Sequence, residues 1–138
     1  MALKSPESVL RAALIADATV SGLVGSRIYP LIGPKGSTLP LVLWRRTAIR
    51  REQTLAAPMG VPTVVLEYQV LAETYEAART AADAIRGVLD GYTGTADNTT
   101  VRQTSLEDEA DDLVSLNGAE LPDTYSVRQT YEVLWQEA

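Results

Sequence analysis

The sequence has no cysteine and no histidine among its 138 residues. Without cysteine there can be no disulfide, no thiolate nucleophile and no cysteine-based zinc site. Without histidine the chain lacks the commonest general base at neutral pH and the commonest transition-metal ligand, which moves expectation away from an enzyme. Serines and threonines are present, but no imidazole can activate them and no lysine stands in a serine-lysine motif. No run of about 18 apolar residues exists to span a membrane, and the N-terminus lacks the basic-then-apolar pattern of a secretory signal. A soluble, cytoplasmic protein is expected. The formal net charge of -6 argues against nucleic-acid affinity spread over the whole surface, although a local basic patch remains open.

What is present begins with a hydrophobic content of 46%, enough in this length for one core and one domain, residues 1–138. The most informative stretch runs from Val61 to Gly91. Val64, Leu66, Tyr68 and Val70 alternate with Thr63, Val65, Glu67 and Gln69, the period of a strand with one buried face. From Thr74 the period changes. Tyr75, Ala78, Ala82, Ile85, Leu89 and Tyr92 recur at helical spacing, with Glu76, Thr80, Asp83, Arg86 and Asp90 on the opposite side. Thr74 reads as the N-cap, and Gly91 as the stop that tolerates a left-handed backbone.

Upstream, Ser5-Pro6-Glu7 opens a helix with a capping serine, a proline where its missing N–H costs nothing, and an acid at the positive dipole end. Val9, Leu10, Ala13 and Leu14 form its buried stripe. Asp17 caps a short second turn that Gly25 closes, Arg27 to Tyr29 is briefly extended, and a proline- and glycine-punctuated loop follows. Gly33-Pro34-Lys35-Gly36-Ser37 within that loop has the composition of a phosphate loop but neither its spacing nor its Lys-Ser/Thr pair. Leu41 to Ile49 reads as a strand apolar on both faces at its start, which suggests a central place or a partner. Arg50 to Gly60 reads as a long hairpin tip.

After Gly91 a polar turn run precedes a modest strand from Thr100 to Leu106. An acidic shoulder, Glu107, Asp108, Glu109, Asp111 and Asp112, leads to a second tip turning at Asn117-Gly118. The last strand places Tyr125, Val127, Tyr131, Val133 and Trp135 on one face, with Gln129 its one polar member. The order is helix, strand, strand, helix, strand, strand. An α+β domain is expected, with about four mainly antiparallel strands packed against two helices.

Two charge clusters are the candidate sites. The acids at 107 to 112 lack the glycine, the alternate spacing and the helical flanks of a calcium loop, so a solvated shoulder or a surface for a basic partner competes with a monomeric metal- or ligand-binding accessory role. Arg45, Arg46, Arg50 and Arg51 form the opposing cluster. They can meet phosphates, meet the acids of a neighbouring subunit, or simply keep an edge strand from aggregating.

Taken in order, SPESVLRAALIADATVSGLVGSRIYP, LPLVLWRR, VVLEYQVLAETYEAARTAADAIRGVLDGY and YSVRQTYEVLWQE resemble the tail completion proteins of long-tailed bacteriophages, also called tail terminators or head-tail joining proteins. The resemblance covers nearly the whole chain. It implies a structural virion subunit, assembled in the host cytoplasm and located at the tail neck. Such a subunit forms a hexameric ring that ends the tail tube, docks to the head-completion or neck protein, and passes DNA through its channel. It implies no catalytic residue, cofactor, metal or membrane partner. Neither charge cluster is assigned a partner by the resemblance.

Overall fold

The computed structural model describes residues 6–30, 39–50, 63–96, 99–114 and 124–137, with the backbone alone for 49, 50, 96, 112–114, 124 and 137. The elements are α1 (Pro6–Ala16), α2 (Ala18–Val24), β1 (Ile28–Pro30), β2 (Leu41–Arg50), β3 (Thr63–Ala72), α3 (Tyr75–Leu89), β4 (Gly94–Ala96), β5 (Thr99–Val114) and β6 (Thr124–Glu137). They build one sheet in the order β1-β2-β3-β6-β5-β4. Only the β1–β2 pair is parallel. The last strand therefore lies at the centre, between β3 and β5.

Alternation decides which face is covered. In β3, Val64, Leu66, Tyr68, Val70 and Ala72 are buried while the residues between them are half-exposed. Pairing carries that face across β6, where Val127, Gln129, Tyr131, Val133 and Trp135 are buried. Against it lie Val9, Leu10 and Leu14 of α1, Val20 and Val24 of α2, and Ala78, Ala81, Ala82, Ile85 and Leu89 of α3. Three alanines let α3 approach a sheet that carries Tyr68, Tyr131 and Trp135 on its inner face. Tyr68 and Tyr131 meet edge to face at 5.8 Å, the arrangement their ring quadrupoles favour. Register shifts at Arg46/Ala48, Val101/Gln103 and Leu106/Asp108 bend β2 and β5, as bulges do, so that the sheet wraps its helices.

The helix ends follow the local chemistry. The Asp17 carboxylate accepts from the Val20 amide at 3.0 Å and the Thr74 hydroxyl accepts from the Ala77 amide at 3.1 Å, each satisfying an orphan donor. Asp90 ends α3 and Gly91, at φ 82°, takes the left-handed turn beyond it.

The α+β class is as expected, but the sheet has six strands rather than four and the described residues hold three helices rather than two. The turn after Asp17 is a seven-residue helix, and β1 and β4 have three residues each, too few to display a period. The acidic run is not a shoulder beside a strand. It lies inside β5, which runs 16 residues because β6 pairs with it as far as Val114. Acids are poor strand formers, yet partly solvated positions on a paired strand tolerate them. Tyr75 and Tyr125, assigned to buried stripes, are exposed. The expected loop at 33–37, the hairpin tip after Arg50 and the turn at Asn117-Gly118 lie outside the described residues.

The Thr74 cap gives a direct check. Thr74→Ala is expected to lower the unfolding free energy by about 1 kcal/mol, read as a lower urea midpoint at unchanged slope, whereas Thr80→Ala on the exposed side of α3 raises it by about 0.5 kcal/mol through the better helix propensity of alanine.

Candidate functional site

Period-two alternation in β5 splits the acidic run. Glu109 and Asp111 pair with Gln129 and Val127 on the covered face, whereas Asp108 pairs with Thr130 on the outer face. On the covered side the two acids meet Arg79 of α3. Its guanidinium donates to Asp83 at 3.0 Å, one helical turn on, to Glu109 at 3.1 Å and to Asp111 at 3.3 Å. Burial pulls the Arg79 pKa down, but the hydrogen bond and charge of Glu109, joined by Asp83 and Asp111, outweigh it and leave the pKa raised. Tyr75, a turn before Arg79, donates its hydroxyl to Asp111 at 2.6 Å, which raises the phenol pKa, and its ring meets Tyr125 at 6.2 Å.

The network continues inward. The second oxygen of Glu109 accepts from Gln129 Nε2 at 2.6 Å, the same amide nitrogen donates to the Ala82 carbonyl at 2.9 Å, and Gln129 Oε1 accepts from the Tyr131 hydroxyl at 2.8 Å. Gln129 has no solvent exposure, so these bonds replace water completely. They bind α3, β5 and β6 into one unit.

A second buried charge lies at the other side. Glu7 of α1 is 3% exposed and receives both Nε and Nη2 of Arg46, the latter at 3.1 Å. The hydrogen bond that Arg46 donates to Glu7 is the main reason the Arg46 pKa is raised. Arg45, one residue away, points to the opposite face and reaches Glu67 at 3.4 Å. There Leu43, Arg45, Glu67, Gln69 and Arg128 line an open groove of about 370 Å³.

Arg45 and Arg46 therefore do not form one patch, since the strand sends them to opposite sides of the sheet. Arg50 ends β2, described by its backbone, and Arg51 lies outside the described residues. Of the acids, Glu109 and Asp111 are engaged with α3, and Asp108 accepts from the Glu109 amide at 2.9 Å. Glu107 falls at the bulge and accepts from Ser105 at 3.1 Å, while Asp112 is placed by its backbone in β5. Among the described residues no three acidic side chains converge as metal ligands. Arg79, Tyr75 and Glu7 were not singled out as partners in the sequence. The i,i+4 spacing of Arg79 and Asp83 was a readable signal, but the 30-residue separation of Arg79 from Glu109 was not.

The family described as Tail completion protein gp17 matches residues 8–135. A chain of the virion of a native gene transfer agent (GTA) particle shares the fold with a TM-score of 0.76, at 15% identity, over 96% of this chain and 95% of that one. No curated protein matches this sequence.

Two outcomes test the site. Arg46→Met leaves the Glu7 carboxylate buried without its partner and is expected to cost about 2–3 kcal/mol, less than a fully buried pair because the guanidinium is 40% exposed. Glu7→Leu combined with Arg46→Met should recover most of that loss in denaturant titrations. Tyr68 and Tyr131 both have pKa values raised above 10, chiefly by burial. Their contribution to stability is complete below the unfolded value of about 10 and is lost as pH climbs through the folded values. Thermal melts should show the midpoint falling as pH rises above 10. Tyr131→Phe should flatten that fall while lowering the midpoint at pH 7, because Gln129 Oε1 loses its donor.

Proposed function

The chain belongs to the tail completion protein gp17 family, and on that premise we propose that it forms a ring that ends the tail tube and joins it to the head or neck, with DNA passing through the channel. It is a structural protein of the bacteriophage virion tail. The ring, its hexameric order and its neck partners are this proposal. So is the reading of residues 1–138 as a single domain with no enzymatic role.

The observation that carries the ring is the separation of charge on one sheet. Arg45 and Arg50 hold outer-face positions on β2 near one edge and Asp108 and Asp112 hold outer-face positions on β5 toward the other, with β3 and β6 between them, while Arg46, Glu109 and Asp111 are paired within the subunit. A cyclic oligomer closes when two different patches of the same subunit fit each other, and opposite charge on opposite sides supplies such a pair. The same arrangement disfavours a two-fold dimer through either side, where like charges would meet. The metal-binding alternative has less support, since Glu109 and Asp111 already share the guanidinium of Arg79.

Native mass measurement over a concentration series tests this. A species of sixfold subunit mass that dissociates as salt is raised is the expected result. A strict monomer at every concentration overturns self-assembly into a ring.

A further inference from the structure

Each side of the sheet ends in a very short strand. β1 covers β2 only from Val42 to Trp44, and β4 covers β5 only from Thr99 to Val101. Beyond β4 the α3 C-terminus takes over part of the β5 edge. The Gly91 amide donates to the Thr104 carbonyl at 2.7 Å, and the Asp90 carboxylate accepts from the Leu106 amide at 3.2 Å. Besides the outer sides of the three-residue β1 and β4, two longer lengths of strand are left among the described residues with no neighbour on one side: 45–50 of β2 and 107–114 of β5. Open backbone of this length is a template for another strand.

We propose that these two edges pair with each other between neighbouring copies of this chain, so that the sheets run on from subunit to subunit through backbone hydrogen bonds. The inference rests on the ring reading above and specifies its contact. Direction permits it. From β2 through β3 and β6 to β5 there are three antiparallel steps, so the two free edges run in opposite senses. A copy rotated about an axis to which the strands are inclined, as they are in a barrel, then brings its β2 edge antiparallel to the β5 edge of its neighbour with a stagger along the strands, in the bonding pattern such pairs use.

Register and charge agree as well. With Arg45 and Arg46 opposite Asp112 and Asp111, the extra residue of the β2 bulge, Thr47, passes unpaired. Ala48, Ile49 and Arg50 then stand opposite Ala110, Glu109 and Asp108. The faces match in this register. Arg45, Ala48 and Arg50 pair with Glu67, Val65 and Thr63, whereas Asp112, Ala110 and Asp108 pair with Ser126, Arg128 and Thr130, and all six partners belong to the outer face. On the outer face two arginine-aspartate oppositions, Arg45 with Asp112 and Arg50 with Asp108, flank one alanine-alanine pair, which leaves room for close approach at the centre, while Arg46 and Asp111 keep their partners within the subunit. Cross-strand opposite charges stabilise such a pair, and like charges oppose pairing of either edge with its own kind. The occupant is thus a second copy, joined head to tail.

The absence of cysteine makes the test clean, since Ala48→Cys/Ala110→Cys carries the only two thiols. Both alanines are exposed, and within one subunit they lie three strand spacings apart across the sheet and, since Ala48 is level with Ser105, five residues apart along it, roughly 20 Å in all. Directly opposite positions of an antiparallel pair bring Cα atoms to about 4.5–5.5 Å, inside disulfide range. Under mild oxidation the double variant is expected to give a ladder of multiples on a non-reducing gel. Each single variant should stay at subunit mass, and an equal mixture of the two singles should stop at the dimer. A ring seen by native mass without these cross-links overturns edge pairing and leaves the ring standing, as does self-linking of either single variant. Absence of any ring overturns both. Charge exchange gives a second readout: Arg50→Glu or Asp108→Arg alone should raise the half-assembly concentration about tenfold, and the two together should restore it. No loss in the singles, or no recovery in the double, counts against the pairing.

Discussion

The structure depends on a buried amide. Gln129 stands at the centre of the covered face of β6, where the neighbours in its own strand are Val127 and Tyr131, and a polar side chain there is tolerable only if its polar atoms have partners. The partners come from three elements: the Ala82 carbonyl of α3, the Glu109 carboxylate of β5 and the Tyr131 hydroxyl of β6. Because Glu109 also holds Arg79, the position of α3 is set by polar geometry as well as by apolar contact. Apolar packing alone is non-directional and would let an alanine-rich helix slide; the bonded network selects one placement.

That placement explains why β5 can be so long. A 16-residue strand with five acids in six successive residues is a poor isolated strand, since each acid repels its neighbours and none favours the extended state. Two supports offset this. β6 pairs with it from end to end, and Arg79 neutralises the acids that alternation directs to the helix side. On the far side of the sheet, Glu7 and Arg46 tie α1 to β2 in the same way. Both helices that carry an ionic anchor therefore touch a strand next to an edge, which keeps those edges in fixed relative position while their outward backbone stays open.

The legible parts of this fold were those with a sustained period or a terminal signal. The alternation from Val64 to Val70, the stripe from Ala78 to Leu89, the caps at Asp17 and Thr74 and the left-handed Gly91 all stand where the sequence places them. Gln129 was visible as the one polar residue on an apolar face, although its partners were not. Three-residue strands carry no period, so β1 appeared only as a brief extended segment and β4 was read as turn. Tyr75 and Tyr125 fit the apolar stripes by spacing, yet they lie at the ends of their elements, where the core no longer reaches. The ion pairs depend on pairing across 30 residues or more, and linear spacing does not encode that.

The two charge clusters looked in the sequence like two patches, one of each sign, and the strand geometry divides each of them. In β2, Arg46 turns to the buried Glu7 while Arg45 stays on the outer face; in β5, Glu109 and Asp111 turn to Arg79 while Asp108 stays out. One half of each cluster is thereby spent on folding the subunit, and a surface salt bridge between the remaining halves is worth little by itself. Charge alone would make a weak and unspecific contact. Two open backbone edges of opposite sense and matching face supply the directional part, and the residual charges then act mainly to choose which edge meets which. A subunit built this way derives its cohesion from the inward halves of its charge clusters and its partner preference from the outward halves.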